Sequence, residues 1–207
     1  MSRFFKITRK PYDDIIYKKS EIEINPGVTI LIGCNGCGKT TLLQSIKESL
    51  QLSKIPVIYY SNEYEGGATS ISERVYEDDI TTAATLMQSS EGEQIYINLG
   101  IIAGKIARFV QRYKDSKELW ILFDAIDSGL SIDNAIEIKE YLFKTIMEDK
   151  YNKDKDVFIV CSTNSYELCA DNSCFDVYSG EYIKFKDYDD YKKYILKSHK
   201  QKDKRFK

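Results

Sequence analysis

Two hydrophobic signatures alternate along the chain. Leu119-Trp120-Ile121-Leu122-Phe123 and Val157-Phe158-Ile159-Val160-Cys161 are apolar at every position. Continuous rather than alternating hydrophobicity means burial on both faces, as in the centre of a parallel sheet. Val28-Thr29-Ile30-Leu31-Ile32 and Ile55-Pro56-Val57-Ile58-Tyr59-Tyr60 predict two more strands, with Pro56 near the start of its strand, where a missing ladder donor is tolerated. The second signature has steps of three and four. Ile95, Leu99, Ile102, Ile106, Phe109 and Tyr113 form one face of a helix over 93–113, with Lys105, Arg108 and Arg112 largely off it.

Helices are also expected from 40 to about 52, over 132–148 and over 187–197. Residues 3–8 and 14–24 read as short strands around a Pro11-Tyr12-Asp13-Asp14 turn, and 175–178 with 181–185 as a hairpin turned at Ser179-Gly180. Residues 61–92 are polar and punctuated, which predicts loops with one short helix near 80–87. Strands alternating with helices give an α/β fold, a mainly parallel sheet between two helical layers.

Composition adds little that is global. A chain of 207 residues, 43% hydrophobic, suits one domain over 1–197 followed by a basic tail over 198–207. The net charge of -2 exerts no overall pull toward nucleic acid or acidic membranes. From Lys192 onward, however, seven Lys and one Arg face a single acid, Asp203, so the tail could follow a phosphate backbone electrostatically, although a solvated terminus is the simpler reading. No run approaches the roughly 20 apolar residues of a membrane span, and the first residues lack the apolar core of a signal peptide. Five cysteines, an odd number, point to a reducing cytoplasm.

The chemistry concentrates between strand 28–32 and the helix after it. Gly33-Cys34-Asn35-Gly36-Cys37-Gly38-Lys39-Thr40-Thr41 fits G-x-x-x-x-G-K-[ST]. Its glycines let the backbone curl so that N–H groups face phosphate oxygens, and the following helix offers the same anion its positive end. Lys39 is expected on the β- and γ-phosphates of ATP and Thr40 on Mg²⁺. The pattern leaves Cys34 and Cys37 as free positions, so a redox or zinc pair is not needed to explain them. Asp124, closing an apolar strand, is the acid that a Mg²⁺ site requires, delivered by a rigid neighbour strand.

Two further stretches carry a resemblance. Asp124-Ala125-Ile126-Asp127-Ser128-Gly129-Leu130-Ser131 resembles the D-E-P-x-S-G-L-D segment of ABC-type ATPases, and Ser89-Ser90-Glu91-Gly92-Glu93-Gln94 resembles their S-G-G-E/Q signature. Ser90 with Glu93 is equally a helix capping box. Ser90 and Asp124 lie 34 positions apart, room for one helix of about 22 residues. That spacing looks like the SMC/RecF-like branch and small phage-type AAA family ATPases. Lys39 and Ser90 are 51 positions apart, too few for a coiled-coil arm.

The resemblance implies a head-to-tail homodimer with ATP shared between the phosphate loop of one copy and Ser90 and Gly92 of the other, acting on nucleic acid or a partner protein. It also exposes departures. The glutamate expected after Asp124 is Ala125, the proline is Ile126, the switch histidine is Asn164, and no glutamine follows Tyr60. Asn62, Glu63 or Glu65 could make that last contact. Alanine cannot deprotonate water, so slow hydrolysis is expected unless Asp127 or a partner supplies the missing group. Asn164 can bond a γ-phosphate but cannot shuttle a proton. His199, the lone histidine, reads as solvated. Tyr12 or Tyr17 could stack on adenine. The rival readings are an ATP-gated module without turnover and a small kinase. The kinase would need an Arg-rich lid, whereas 61–92 holds one arginine, Arg74.

Overall fold

The computed structural model describes residues 1–7, 17–61, 91–128 and 130–203. Strands β1 (Arg3–Lys6) and β2 (Glu21–Ile24) form a separate antiparallel hairpin, with Phe5 opposite Ile22. The main sheet holds β3 (Gly27–Ile32), β4 (Val57–Ser61), β5 (Glu118–Asp124), β6 (Asp156–Ser162), β7 (Ser173–Asp176) and β8 (Glu181–Ile183). Its order is β4-β5-β6-β3-β7-β8, parallel throughout except for the β7–β8 pair.

The helices are α1 (Lys39–Leu52), α2 (Glu91–Arg112), α3 over 132–148, α4 (Tyr166–Cys169) and α5 (Tyr188–Asp203). Alternate residues of each central strand serve opposite layers, because successive Cβ atoms point to opposite faces. Leu119, Ile121 and Phe123 of β5 join Ile30 and Ile32 of β3, Ile102, Ile106 and Val110 of α2, and Ile138, Phe143 and Ile146 of α3. Trp120 and Leu122 join Leu31, the α1 residues Leu42, Leu43, Ile46 and Leu50, and Phe5, Ile22 and Ile24 of the hairpin. Trp120 stacks on Phe158 with centroids 3.9 Å apart and meets the edge of Phe5 at 5.2 Å. The expected three-layer α/β fold is therefore present, and the hairpin completes the layer that α1 begins.

Several boundaries differ from expectation. Of 14–24 only Glu21–Ile24 is strand, and 14–16 lie outside the described residues. The β7–β8 hairpin begins at Ser173 and ends at Ile183, with Gly180 at φ 69 in its turn. Helix 132–148 is continuous but widens into a π segment over Ile138–Phe143. The last helix runs six residues past Lys197 to Asp203, so 198–203 is helical, with Ser198 buried and His199, Lys200 and Asp203 exposed. Within it His199 is exposed, with Nδ1 3.1 Å from Asp203. The short helix expected near 80–87 lies outside the described residues. Among the described residues no helix is long and apolar enough to cross a membrane.

Candidate functional site

The phosphate loop occupies the turn between β3 and α1, at the carboxyl end of the parallel strands, where α/β sheets place their ligands. Two of its glycines are dictated by geometry. A Cβ on Gly33 would lie 2.4 Å from Cys37 Sγ, and Gly38, the residue before α1, sits at φ 99. The Gly38 carbonyl accepts the Leu42 N–H that starts the helix and also the Tyr17 hydroxyl, at 2.8 Å. Tyr17 is thus a buried ring tied to the loop by its hydroxyl. Tyr12 lies outside the described residues.

Cys34 and Cys37 are both buried, with the Cys37 N–H donating to the Cys34 carbonyl at 3.2 Å. Burial pushes the Cys37 thiol up, partly opposed by the nearby Lys39 ammonium. No cluster of metal-ligating residues occurs among the described residues.

Lys39 folds back over its own loop. Its ammonium donates to the Gly33 carbonyl at 2.8 Å, to Asn164 Oδ1 at 2.9 Å and to the Cys34 carbonyl at 3.4 Å. Asn164 is placed by its backbone. Its N–H donates to Asp127 Oδ2 at 2.9 Å, and its carbonyl accepts the Tyr191 hydroxyl at 2.7 Å. Asn164 therefore stands beside Lys39. Asp127, considered as a stand-in for the missing glutamate, instead holds Asn164.

Asp124 does not come from the strand adjacent to the loop. Strand β6 lies between β5 and β3, so the carboxylate reaches Thr40 across β6, whose residues 162–164 fill the gap. Although only 4% exposed, Asp124 is well solvated by protein. Thr40 Oγ1 donates to Oδ1 at 3.1 Å, Ser162 Oγ to Oδ1 at 2.6 Å and the Tyr59 hydroxyl to Oδ2 at 3.1 Å. Gln44 Nε2 in turn donates to the Tyr59 oxygen at 2.9 Å. Burial, the Asp124 charge and the bond to it push the Tyr59 phenol up, which keeps it a donor. Neutral hydroxyls satisfy the carboxylate without cancelling its charge. An Asp side chain beside a Thr hydroxyl is a hard-oxygen donor set that fits Mg²⁺.

Ala125 follows at φ 51, a left-handed conformation that costs an L-residue about 1–2 kcal/mol. Its N–H donates to Ser162 Oγ at 2.9 Å, and Ile126 is anchored in the core. The loop residues Asn35, Gly36, Gly38, Lys39, Thr40 and Thr41 border one open cavity of about 300 Å³ together with Asp124, Ala125 and Asn164.

The structure thus brings together the whole 33–41 loop, Asp124 and Asn164. Ser90 lies outside the described residues, as do Asn62, Glu63 and Glu65, while Gly92 falls in the first turn of α2. Sequence reasoning missed Ser162, Tyr59 and Gln44. The one available signal was Ser162, a polar residue directly closing an apolar strand.

A family model described as the ATPase family associated with various cellular activities (AAA) matches residues 29–174. That span runs from β3 through the loop, Asp124 and Asn164 into β7. No curated protein matches the chain. With most of its length inside the family model, and the ATP-binding loop at the model's start, this chain belongs to the AAA family of P-loop ATPases.

Proposed function

We propose that this ATPase is a slow, ATP-switched dimer of the ABC/SMC-like kind, working in the cytoplasm on a nucleic acid or a partner protein. The observation that carries the slow turnover is Ala125. It occupies the position where a general base is expected, its N–H is committed to Ser162, and the nearest following acid, Asp127, is committed to the Asn164 N–H. Among the described residues that border the cavity, Lys39, Thr40 and Asn164 are the positioning groups and Asp124 is the one acid. Loss of a general base is worth about 10²–10⁴ in rate.

Loop N–H groups and the start of α1 would hold the phosphates, and Lys39 would move from the Gly33 carbonyl to the β- and γ-oxygens. Asn164 would then release Lys39 and offer its amide to the γ-phosphate or to a water. Held by Thr40 and Asp124, a magnesium ion would neutralise charge on those oxygens. The second copy's Ser90 and Gly92 would cap the triphosphate, which makes closure depend on ATP.

Gel filtration with ATP and Mg²⁺, beside a Lys39→Ala control, tests the dimer. The wild type should shift to twice its mass and the control should not; a wild type that stays monomeric overturns it. The same Ala125 also favours a second reading, an ATP-gated module without turnover. Phosphate release that Lys39→Ala abolishes would exclude that reading.

A further inference from the structure

Helix α5 lies beyond the residues matched by the family model, yet it touches the phosphate loop. Tyr191, Tyr194, Ser198 and Lys202 recur at steps of three and four, so they share one face of the helix. Tyr191, Ser198 and Lys202 make polar contacts with Asn164 or the phosphate loop, and Tyr194 with the end of β7. The Tyr191 hydroxyl donates to the Asn164 carbonyl at 2.7 Å, and the Tyr194 hydroxyl donates to Asp176 Oδ1 at 2.7 Å. Ser198 Oγ accepts the Cys34 N–H at 3.1 Å, and Lys202 Nζ donates to the Asn35 carbonyl at 3.0 Å.

A loop that turns its inner N–H groups toward an anion must pair its remaining backbone groups elsewhere, because unpaired buried amides are costly. Ser198, only 3% exposed, supplies that pair for Cys34 where water cannot easily replace it. Lys202 pairs the exposed Asn35 carbonyl and lies close to Gly36, where a Cβ would come within 3.5 Å of Nζ.

We propose that α5 is a brace for the phosphate loop, with Ser198 and Lys202 acting as positioning residues for ATP binding through the Cys34 N–H and the Asn35 carbonyl. Neither residue needs to touch ATP. Without them the loop has other arrangements available, and apparent affinity falls by the fraction of time the cradle is formed. The inference rests on ATP binding at this loop and is independent of the dimer.

The test is ATP titration of the full chain in Mg²⁺, with circular dichroism to establish folding. Ser198→Ala, which changes no charge, should weaken ATP about tenfold, the fold-change that one unpaired buried donor carries. It should raise KM more than it lowers kcat, and Ser198→Thr should restore most of the affinity. Lys202→Met, at a side chain that solvent reaches, should weaken ATP about threefold. A merely structural role would lower Tm and leave the dissociation constant within twofold of wild type in both folded variants, and that result overturns the brace. Should Ser198→Ala lose its fold, Lys202→Met decides alone by the same criterion. Failure of the wild type to bind ATP would sink the ATPase assignment instead, which keeps the two outcomes distinct.

Discussion

Ser162→Ala separates the acid network from the loop. Ser162 Oγ donates to Asp124 Oδ1 at 2.6 Å and accepts the Ala125 N–H at 2.9 Å, and the residue is buried. A hydrogen bond to a charged group contributes about 1.5–3 kcal/mol, and an orphaned donor costs about 1–3 kcal/mol. The two are not expected to add in full, because Ala125 borders the open cavity and a water there could take up its N–H. The expected loss is about 2 kcal/mol. For a chain of this length each kcal/mol lowers Tm by about 2–4 °C, so the melting point should fall by about 4–8 °C. The same variant should weaken ATP more in Mg²⁺ than in EDTA, since Asp124 loses one of the bonds that aim it. Thermal unfolding by circular dichroism and paired ATP titrations read both effects. A fall under about 1 °C, with unchanged magnesium dependence, would refute the claim that Ser162 holds Asp124.

Three other outcomes follow from the same structure. Lys54 sits at φ 56 just past α1, with its N–H on the Gln51 carbonyl and the Ile55 N–H on the Leu50 carbonyl, a left-handed helix end that favours glycine. Lys54→Gly should stabilise by about 0.5–1 kcal/mol after glycine's unfolded-state entropy is discounted, seen as a higher urea midpoint with unchanged slope. Asp127→Asn keeps an acceptor for the Asn164 N–H, so phosphate release should stay within about threefold; a drop of about 10²–10⁴ would make Asp127 the base after all. Burial first, then neighbouring acids, pushes the Tyr59 and Tyr194 hydroxyls and the Cys161 thiol above their ordinary values. The folded chain therefore keeps protons that the unfolded chain releases near pH 8.5 for Cys and pH 10 for Tyr, so this stability is full below about pH 8.5 and declines above it. A urea midpoint as high at pH 10.5 as at pH 8 would contradict this.

The parts of the fold legible in the sequence were those set by local pattern. Residues 119–123 of β5 and 157–161 of β6 are apolar at every position, and both strands proved to be interior, paired on both edges. The glycine spacing of 33–38 was equally readable, because φ at Gly36 and Gly38 is a local requirement. What escaped depends on pairing between distant elements. Nothing local says that β6 inserts between β3 and β5, so Asp124 was expected from a neighbour strand and arrives from one further away. Tyr17 was considered for stacking on adenine, and it is buried with Phe5, Ile22 and Ile24 of the hairpin. Ser198 and Lys202 looked like part of a charged tail, because a polar stripe that packs on backbone amides has the same composition as one that faces water. Extending the step of three and four from Tyr191 and Tyr194 would have revealed them.

The most direct measurement is ATP affinity and steady-state phosphate release on one preparation in Mg²⁺, with Lys39→Ala beside it. On the proposed reading, Ala125 stands where a general base worth about 10²–10⁴ in rate is expected. Against a typical enzyme turnover of about 10 s⁻¹, the wild type should release phosphate at about 0.1–0.001 s⁻¹ while binding ATP tightly, and Lys39→Ala should lose both. Turnover near 10 s⁻¹, or ATP binding that survives Lys39→Ala undiminished, would contradict the account.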